Sequence, residues 1–348
     1  MVDYILTSDV RYEKDNTTYL ITGSHGNIGS YIVEELCKQK DNINIICVDN
    51  MYNGNAENLR KSFELANKKN ISIKERHISI DNELMMRNTF ADYKPDYVFH
   101  CASMLTLDSK EFPIKAIKTN TLGAGIVFQL CVEYNVKKVV YSSSASVYGQ
   151  PSYTPTDENC ALNGDKLLYG STKIATEYIA RTFMEEGLNI VGLRYFNVYG
   201  PRQSLANVYT QIVPKWIRAI VNGEDIVIYG DGTQTMDMIF STDVARANLA
   251  ACDNDECQKT FINIGTGQET SVKELLDVML QEMGKIVNNI RSEVHYEDHD
   301  PNLVKKRCCD NRLMLKYLGS PKTDIREGVA KTCKEIFDRM HKSNVHND

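Results

Sequence analysis

The sequence predicts an α/β fold, built on a doubly wound parallel sheet with a smaller C-terminal lobe. Short runs rich in valine and isoleucine recur along the chain, and segments of helix length separate them. The runs are continuous rather than alternating, which is typical of strands buried on both faces. Strands that alternate with helices favour right-handed crossovers, and these gather the loops after each strand at one sheet edge, where ligands bind.

The elements follow from these runs in chain order. Prolines and glycines cluster after about residue 197, and we interpret this change in composition as the start of a second unit. The predicted strands cover residues 18–22, 43–48, 97–102, 138–144, 189–196 and 260–265, and helices are expected over 31–39, 124–135 and 167–180. The predicted units are an N-terminal extension (1–16), a sheet domain (17–196, with 236–266 returning to it) and a smaller lobe (197–235 and 267–340).

Composition excludes several classes of protein. The 348 residues carry a net charge of −6 and no basic run longer than 305–307, so a nucleic-acid partner is not expected. The ten cysteines are scattered without a CxxC pair, and His295 and His299 lie in an acidic loop, so no metal site is predicted. No apolar stretch approaches the roughly 18–20 residues of a membrane span, and no signal peptide is recognisable. A cytoplasmic protein is the expectation.

A glycine-rich turn joins the first predicted strand to the first helix. Gly23, Gly26 and Gly29 are spaced G-x-x-G-x-x-G, and Asp49 follows about 20 residues later, at the end of the second strand. Such a turn lets the backbone approach a pyrophosphate at a helix N-terminus, while the acid binds the adenosine ribose and disfavours a 2′-phosphate. The sequence therefore predicts NAD rather than NADP, and a Rossmann-like domain. His25, inside the turn, is expected to face solvent or phosphate.

Two further residues suggest acid–base chemistry. Tyr169 and Lys173 lie four residues apart in a predicted helix, so they share a face. A lysine ammonium near a phenol stabilises the phenolate, and Tyr169 could then act as a general base. The pair alone is common surface chemistry, but its combination with an NAD site favours catalysis.

Together these motifs resemble the NAD-dependent epimerase/dehydratase family, the extended short-chain dehydrogenases, and most closely its UDP-hexose type 4-epimerases. The resemblance runs from about residue 17 to about 320. It rests on the glycine turn, Asp49, YSSSASVYG (141–149), the Tyr169–Lys173 pair, RYFNVYGPR (194–202) and YGDGTQT (229–235). It implies a tightly held NAD, a nucleoside-diphosphate sugar, a lobe that binds this substrate, and frequently a homodimer.

The resemblance also implies residue roles. Ser144, 25 residues before Tyr169, is similar to the family's catalytic hydroxyl, which makes Ser144, Tyr169 and Lys173 the predicted catalytic residues. Implied cofactor contacts are Gly23, Gly26, Asn27, Ile28, Gly29, Asp49, Asn50, Ala102, Asn120, Ser142, Tyr169 and Lys173. Implied substrate contacts are Ser103, Ser144, Tyr169, Asn197, Arg202, Lys305 and Arg307.

One departure concerns the substrate diphosphate. The family places an arginine before an aspartate to grip the diphosphate, and here Met236 stands before Asp237. Since a diphosphate needs positive charge, the segment Lys305-Lys306-Arg307 or Arg202 is expected to supply it.

The residues after Ser144 narrow the reaction. Related dehydratases and decarboxylases carry acids there, whereas this chain has Ala145 and Ser146, neither of which can abstract a C5 proton. The sequence therefore favours oxidation and re-reduction at C4, as in a 4-epimerase. A 4-dehydrogenase, and a UDP-glucuronic acid decarboxylase with a glutamate from elsewhere such as Glu158, remain alternatives. A non-catalytic NAD-binding module would be expected to have lost Ser144, Tyr169 or Lys173.

Overall fold

The computed structural model describes residues 10–164, 167–205, 211–298 and 304–345. Residues 1–9 of the predicted extension, and His299, lie outside these ranges. Residues 10–16 contact the sheet domain: the Tyr12 hydroxyl donates to the Tyr93 carbonyl (2.8 Å), and the Asn44 side chain donates to the Glu13 carbonyl (2.7 Å).

Seven parallel strands form the central sheet in the order β11-β6-β5-β4-β1-β2-β3. This arrangement confirms the predicted α/β class with a doubly wound sheet, since the strand order reverses direction beside β1. The strands are β1 (Thr18–Thr22), β2 (Asn44–Val48), β3 (Ser72–Arg76), β4 (Tyr97–His100), β5 (Lys138–Ser144), β6 (Ile190–Tyr195) and β11 (Thr260–Ile264).

Helices cover both faces of this sheet. One face buries Ile32 and Leu36 of α1 together with α2, α9 and α11, and the other buries Phe90 of α3, Phe128 of α6 and Met184 of α7. The bounds are α1 (Asn27–Gln39), α2 (Arg60–Ala66), α3 (Glu83–Tyr93), α4 (Thr106–Glu111), α5 (Pro113–Ile117), α6 (Ala124–Glu133), α7 (Leu168–Glu185), α9 (Ser241–Asp253) and α11 (Arg312–Tyr317).

The C-terminal half also builds a second apolar core around Trp216 and Leu275. This core draws mainly on the segments predicted as the smaller lobe, but it also includes Met238 and Phe240 from the segment predicted to return to the sheet domain. Its helices are α8 (Ile212–Asn222), α10 (Val272–Met283) and α12 (Ile325–Val345). Its strands pair as β7 (Asn197–Tyr199) with β10 (Met238–Phe240), β8 (Ile226–Tyr229) with β13 (Val294–Glu297), and β9 (Thr235–Met236) with β12 (Thr270–Ser271) and β14 (Lys306–Arg307).

The apolar runs in the sequence did not reveal β3. Its segment SIKER ends in three charged residues that are only partly buried, and β3 is one of the two edge strands of the sheet. An edge strand needs fewer apolar side chains than a central one, so the apolar signal is weak there. Among the described residues, no helix combines the length and the apolarity that crossing a membrane requires.

Candidate active site

The glycine turn lies between β1 and α1 and requires glycine at two positions. Gly23 has a φ of +68°, and a Cβ there would lie 2.8 Å from the backbone nitrogen of Ala102. A Cβ on Gly29 would lie 2.2 Å from the Gly23 carbonyl oxygen. Gly26 precedes α1 and offers no side chain to cap it, so the first N–H groups of α1 can serve a phosphate.

Asp49 lies directly after β2 and beside this turn. It is 8% exposed, and its two carboxylate oxygens accept backbone N–H groups from His25 and Met51, each at 2.9 Å. A carboxylate offers about four lone-pair sites, so each oxygen retains capacity for a ribose hydroxyl. The neighbouring Asn50 is exposed and lies 3.5 Å from the Ser79 hydroxyl, a contact that the sequence did not indicate.

The expectation for His25 is wrong. Its side chain is fully buried rather than directed at solvent or phosphate. Its Nε2 lies 2.6 Å from the Glu75 carboxylate of β3, and its Nδ1 lies 3.0 Å from the Ser24 hydroxyl. The sequence could not show this contact, because it joins the glycine turn to a strand without an apolar signal, 50 residues further along the chain.

Lys173 is a buried cation at the carboxyl end of the sheet. It is 4% exposed, and its ammonium donates to the Ser142 carbonyl at 2.9 Å. The nitrogen lies 5.7 Å from the ring centre of Tyr169 and 5.5 Å from that of Tyr141. Burial lowers the pKa of Lys173 to about 8, because an apolar environment disfavours the charged ammonium.

The three serines at the end of β5 have different environments. The Ser142 hydroxyl lies 3.0 Å from the Tyr195 hydroxyl, and the Ser143 hydroxyl donates to Glu177 at 2.6 Å. Ser144 is the last residue of β5 and is only half-buried. Its Oγ accepts the N–H of Ser146 (3.2 Å) and so caps a short 3₁₀ turn. Of the three serines, Ser144 is the least buried and lies at the carboxyl end of β5.

Asn120 has a different role from the one implied by the resemblance. Its amide oxygen accepts from Met104 N (2.7 Å) and Ser103 Oγ (3.1 Å), and its amide nitrogen donates to Met104 O and Thr172 Oγ1, each at 3.0 Å. These four bonds use the whole capacity of the side chain, which leaves none for a cofactor. Asn120 therefore positions the loop after β4 against α7, the helix that carries Tyr169.

Two of the predicted cations differ sharply in position. Arg202 pairs with the buried Glu34 of α1, and its guanidinium stacks 4.0 Å above the Tyr31 ring. Arg202 thereby packs the segment after β7 on α1. Glu34 also pairs with Lys38 and Lys61, and the role of Arg202 in substrate binding stays a prediction. Lys305 is exposed at the start of the segment that leads into β14.

Arg307 instead lies beside Met236, the residue at the position of the family's arginine. In the parallel pair of β14 with β9, Arg307 is the register partner of Met236. The sulfur of Met236 lies 3.5 Å from the side-chain nitrogen of Asn197, whose buried Oδ1 has no hydrogen-bond partner within the described ranges. The structure thus brings together Asn197, Met236 and Arg307 from three distant segments.

Glu158, the glutamate named above for the decarboxylase alternative, is bonded to β11. Its carboxylate accepts the backbone N–H of Asn263 in β11 at 2.8 Å. Burial raises the pKa of Glu158, with the Arg194 charge acting in the opposite sense. The positions after Ser144, Ala145 and Ser146, are buried and carry no acid.

Comparison with known proteins gives three close likenesses. A putative UDP-glucose 4-epimerase of Methanocaldococcus jannaschii is 32% identical over 93% of this chain and 99% of its own. A UDP-N-acetyl-alpha-D-glucosaminuronate decarboxylase of Bacillus cytotoxicus is 34% identical over 74% of this chain and 77% of its own. The crystal structure of UDP-glucose 4-epimerase from Thermotoga maritima, with UDP-glucose, superposes with a TM-score of 0.83 at 31% identity, covering 93% of this chain and 100% of that one.

The family assignment rests on a match to a family model that spans more than half of the chain. Residues 19–265, which include the glycine turn, the serine run and the Tyr169–Lys173 pair, match the description "NAD dependent epimerase/dehydratase family". The prediction of NAD as cofactor is thereby confirmed. The residues around the turn suit it, since they combine open helix N–H groups with an acid beside them. With its seven-stranded sheet and this match, the chain belongs to the NAD-dependent epimerase/dehydratase family.

Proposed function

We propose that this chain is an NAD-dependent nucleotide-sugar 4-epimerase in which Ser144, Tyr169 and Lys173 are the catalytic residues. The observation that carries the proposal is the buried Lys173 ammonium beside the Tyr169 ring, at the edge of the sheet where β5 ends in Ser144. The relatives named UDP-glucose 4-epimerase support a UDP-hexose as the substrate.

The proposed chemistry acts at C4 of the sugar. The glycine turn and Asp49 would hold NAD, which when bound would supply a reversible acceptor for the C4 hydride. Tyr169, as phenolate, takes the O4 proton while the Ser144 hydroxyl holds that oxygen, and the Lys173 ammonium stabilises the phenolate. Tyr169 then gives the proton back once the 4-keto sugar has presented its other face. Every atom that leaves the sugar returns to it, so the net change is inversion at C4.

The decarboxylase alternative has one supporting observation, the Bacillus cytotoxicus relative. The absence of an acid after Ser144 and the bond of Glu158 to Asn263 favour the epimerase instead. Incubation with a panel of UDP-, GDP- and dTDP-sugars, followed by chromatography, tests the proposal. C4 epimers among the products support it, whereas release of carbon dioxide from a UDP-uronic acid, or a panel without any product, contradicts it.

Arg307 is proposed to supply the charge that Met236 lacks. The proposal is supported by its register pairing with Met236, whose sulfur contacts Asn197, and by the buried amide oxygen of Asn197. Charge-assisted hydrogen bonds contribute about 1.5–3 kcal/mol each. Arg307→Gln is therefore expected to raise the KM for the sugar nucleotide roughly 10- to 100-fold with little change in kcat, as steady-state kinetics would measure.

A matched control comes from the same segment. Lys305→Gln removes an equal charge from an exposed position two residues earlier and is expected to change KM less than threefold. If both substitutions raised KM equally, only the net charge of the segment would affect diphosphate binding. That result would contradict the specific role of Arg307.

We further propose a cytoplasmic homodimer. All ten cysteines are free and none is exposed, which suits a reducing compartment. Large apolar side chains are exposed on neighbouring helical segments, from α5 through the turn that follows it to α7: Ile114 (66%), Leu122 (52%) and Tyr178 (62%). Exposed apolar side chains grouped on neighbouring helices are typical of a subunit interface.

A charge in this surface should separate the subunits. Ile114→Glu is expected to weaken dimerisation about a hundredfold, because it replaces apolar burial with a desolvated carboxylate. Sedimentation velocity would show a shift from dimer to monomer. Leu315→Glu, at an exposed apolar position on α11, is the control and should leave the dimer intact. A wild-type chain that sediments as a monomer would contradict the proposal.

A further inference from the structure

We propose that His25, Glu75 and His77 form a binding site for one divalent transition-metal ion, of which Zn²⁺ is the representative. The site lies beside Asp49, where the glycine turn meets the edge strand β3. It is absent from the sequence predictions, which placed no metal, because its ligands come from segments 50 residues apart.

The three side chains already converge on one point. Nε2 of His25 lies 2.6 Å and Nε2 of His77 3.7 Å from the same Glu75 oxygen. One donor atom from each residue lies within 4.8 Å of the other two. Bonds of about 2.0–2.2 Å to zinc in tetrahedral geometry separate ligand atoms by roughly 3.3–3.5 Å. The His25–Glu75 distance must therefore widen slightly and the His77–Glu75 distance shorten.

The exposures of the three residues suit that adjustment. His25 is fixed, with 1% of its side chain exposed, whereas Glu75 and His77 are 22% and 55% exposed and can move towards it. The same exposure gives an ion a path from solvent and leaves a fourth position for water.

A second contact orients the buried ligand. The Ser24 hydroxyl lies 3.0 Å from Nδ1 of His25, so this ring nitrogen is engaged and Nε2 faces Glu75. Metal-binding histidines commonly have such a partner on the other ring nitrogen, which fixes the tautomer. Two imidazoles with one carboxylate suit Zn²⁺, Ni²⁺ or Cu²⁺ better than Mg²⁺ or Ca²⁺, which prefer sites made of oxygen ligands.

The site would brace the cofactor-binding loop. The backbone N–H of His25 donates to Asp49 (2.9 Å), and its carbonyl accepts from the Asn58 side chain (2.8 Å). A metal ion here would cross-link the glycine turn to β3 through side chains, while these backbone contacts hold the turn to the residues after β2. An ion that binds only the folded chain also stabilises it by mass action.

Isothermal titration of the chelator-treated full-length protein with ZnCl₂ tests the proposal, with thermal unfolding as a second readout. One strong site is expected, with a higher melting temperature in zinc. His77→Ala, at an exposed position that should not disturb folding, is expected to weaken binding at least tenfold and to reduce the thermal shift. His295→Ala, which removes another half-exposed histidine, is the matched control and should bind as the wild type.

Two outcomes would overturn the proposal. One is a wild-type titration without a saturable site. The other is zinc binding that survives both His77→Ala and Glu75→Gln unchanged, which would place the ion on other groups such as the cysteines.

Discussion

Tyr169→Phe is expected to lower kcat about 10²–10⁴-fold, the range for loss of a general acid–base group, while bound NAD is retained. The substitution removes only the phenolic oxygen, so the ring that lies 5.7 Å from the Lys173 ammonium stays in place. The proton of the sugar O4 then has no base within the proposed site. Turnover with a UDP-hexose, together with the NAD content of the purified protein, measures both expectations.

A second tyrosine provides the control for this experiment. Tyr296→Phe removes a phenolic oxygen from an exposed strand of the smaller lobe and should leave kcat unchanged. If Tyr169→Phe also kept wild-type turnover, the role assigned to Tyr169 would be wrong.

Gly29→Ala is expected to abolish NAD binding and to lower stability by roughly 1–3 kcal/mol. A Cβ at this position would lie 2.2 Å from the carbonyl oxygen of Gly23 and 2.8 Å from its carbonyl carbon. Both are backbone atoms of the turn, so the turn must open, and the open turn no longer presents the N–H groups of α1 to a pyrophosphate. The NAD content after purification and the melting temperature measure the two effects.

Gly125→Ala is the matched control, because a Cβ there meets nothing within 4 Å and the residue lies in helix α6. It should keep NAD and be neutral or slightly stabilising, since alanine has the better helix propensity. Full NAD content in Gly29→Ala would contradict the assignment of this turn to the cofactor.

The sequence predicted the parts of the fold that depend on local apolar signal. Two inner strands, β1 (Thr18–Thr22) and β5 (Lys138–Ser144), match their predicted bounds, because strands buried on both faces are continuous apolar runs. The charged edge strand β3 carries no such signal, and its absence from the prediction also concealed the contact of Glu75 with His25.

Residue roles were predictable where a sequence motif determines them. They were less predictable where a contact between distant segments determines them. The glycine turn defines its own geometry, so Gly23 and Gly29 could be identified from spacing. The position of Arg202 and that of Arg307 each depend on long-range contacts: Arg202 pairs with Glu34, 168 residues away, and Arg307 is the register partner of Met236. The saturation of Asn120 likewise depends on three separate segments of the chain.

The central claim is that the hydride taken from C4 returns to the same carbon. Incubation with UDP-glucose in D₂O, followed by proton NMR, tests it most directly. The epimerase is expected to form UDP-galactose with protium retained at C4 and C5 and with no accumulation of NADH. Release of a 4-keto sugar with accumulating NADH, or deuterium at either carbon, would contradict it.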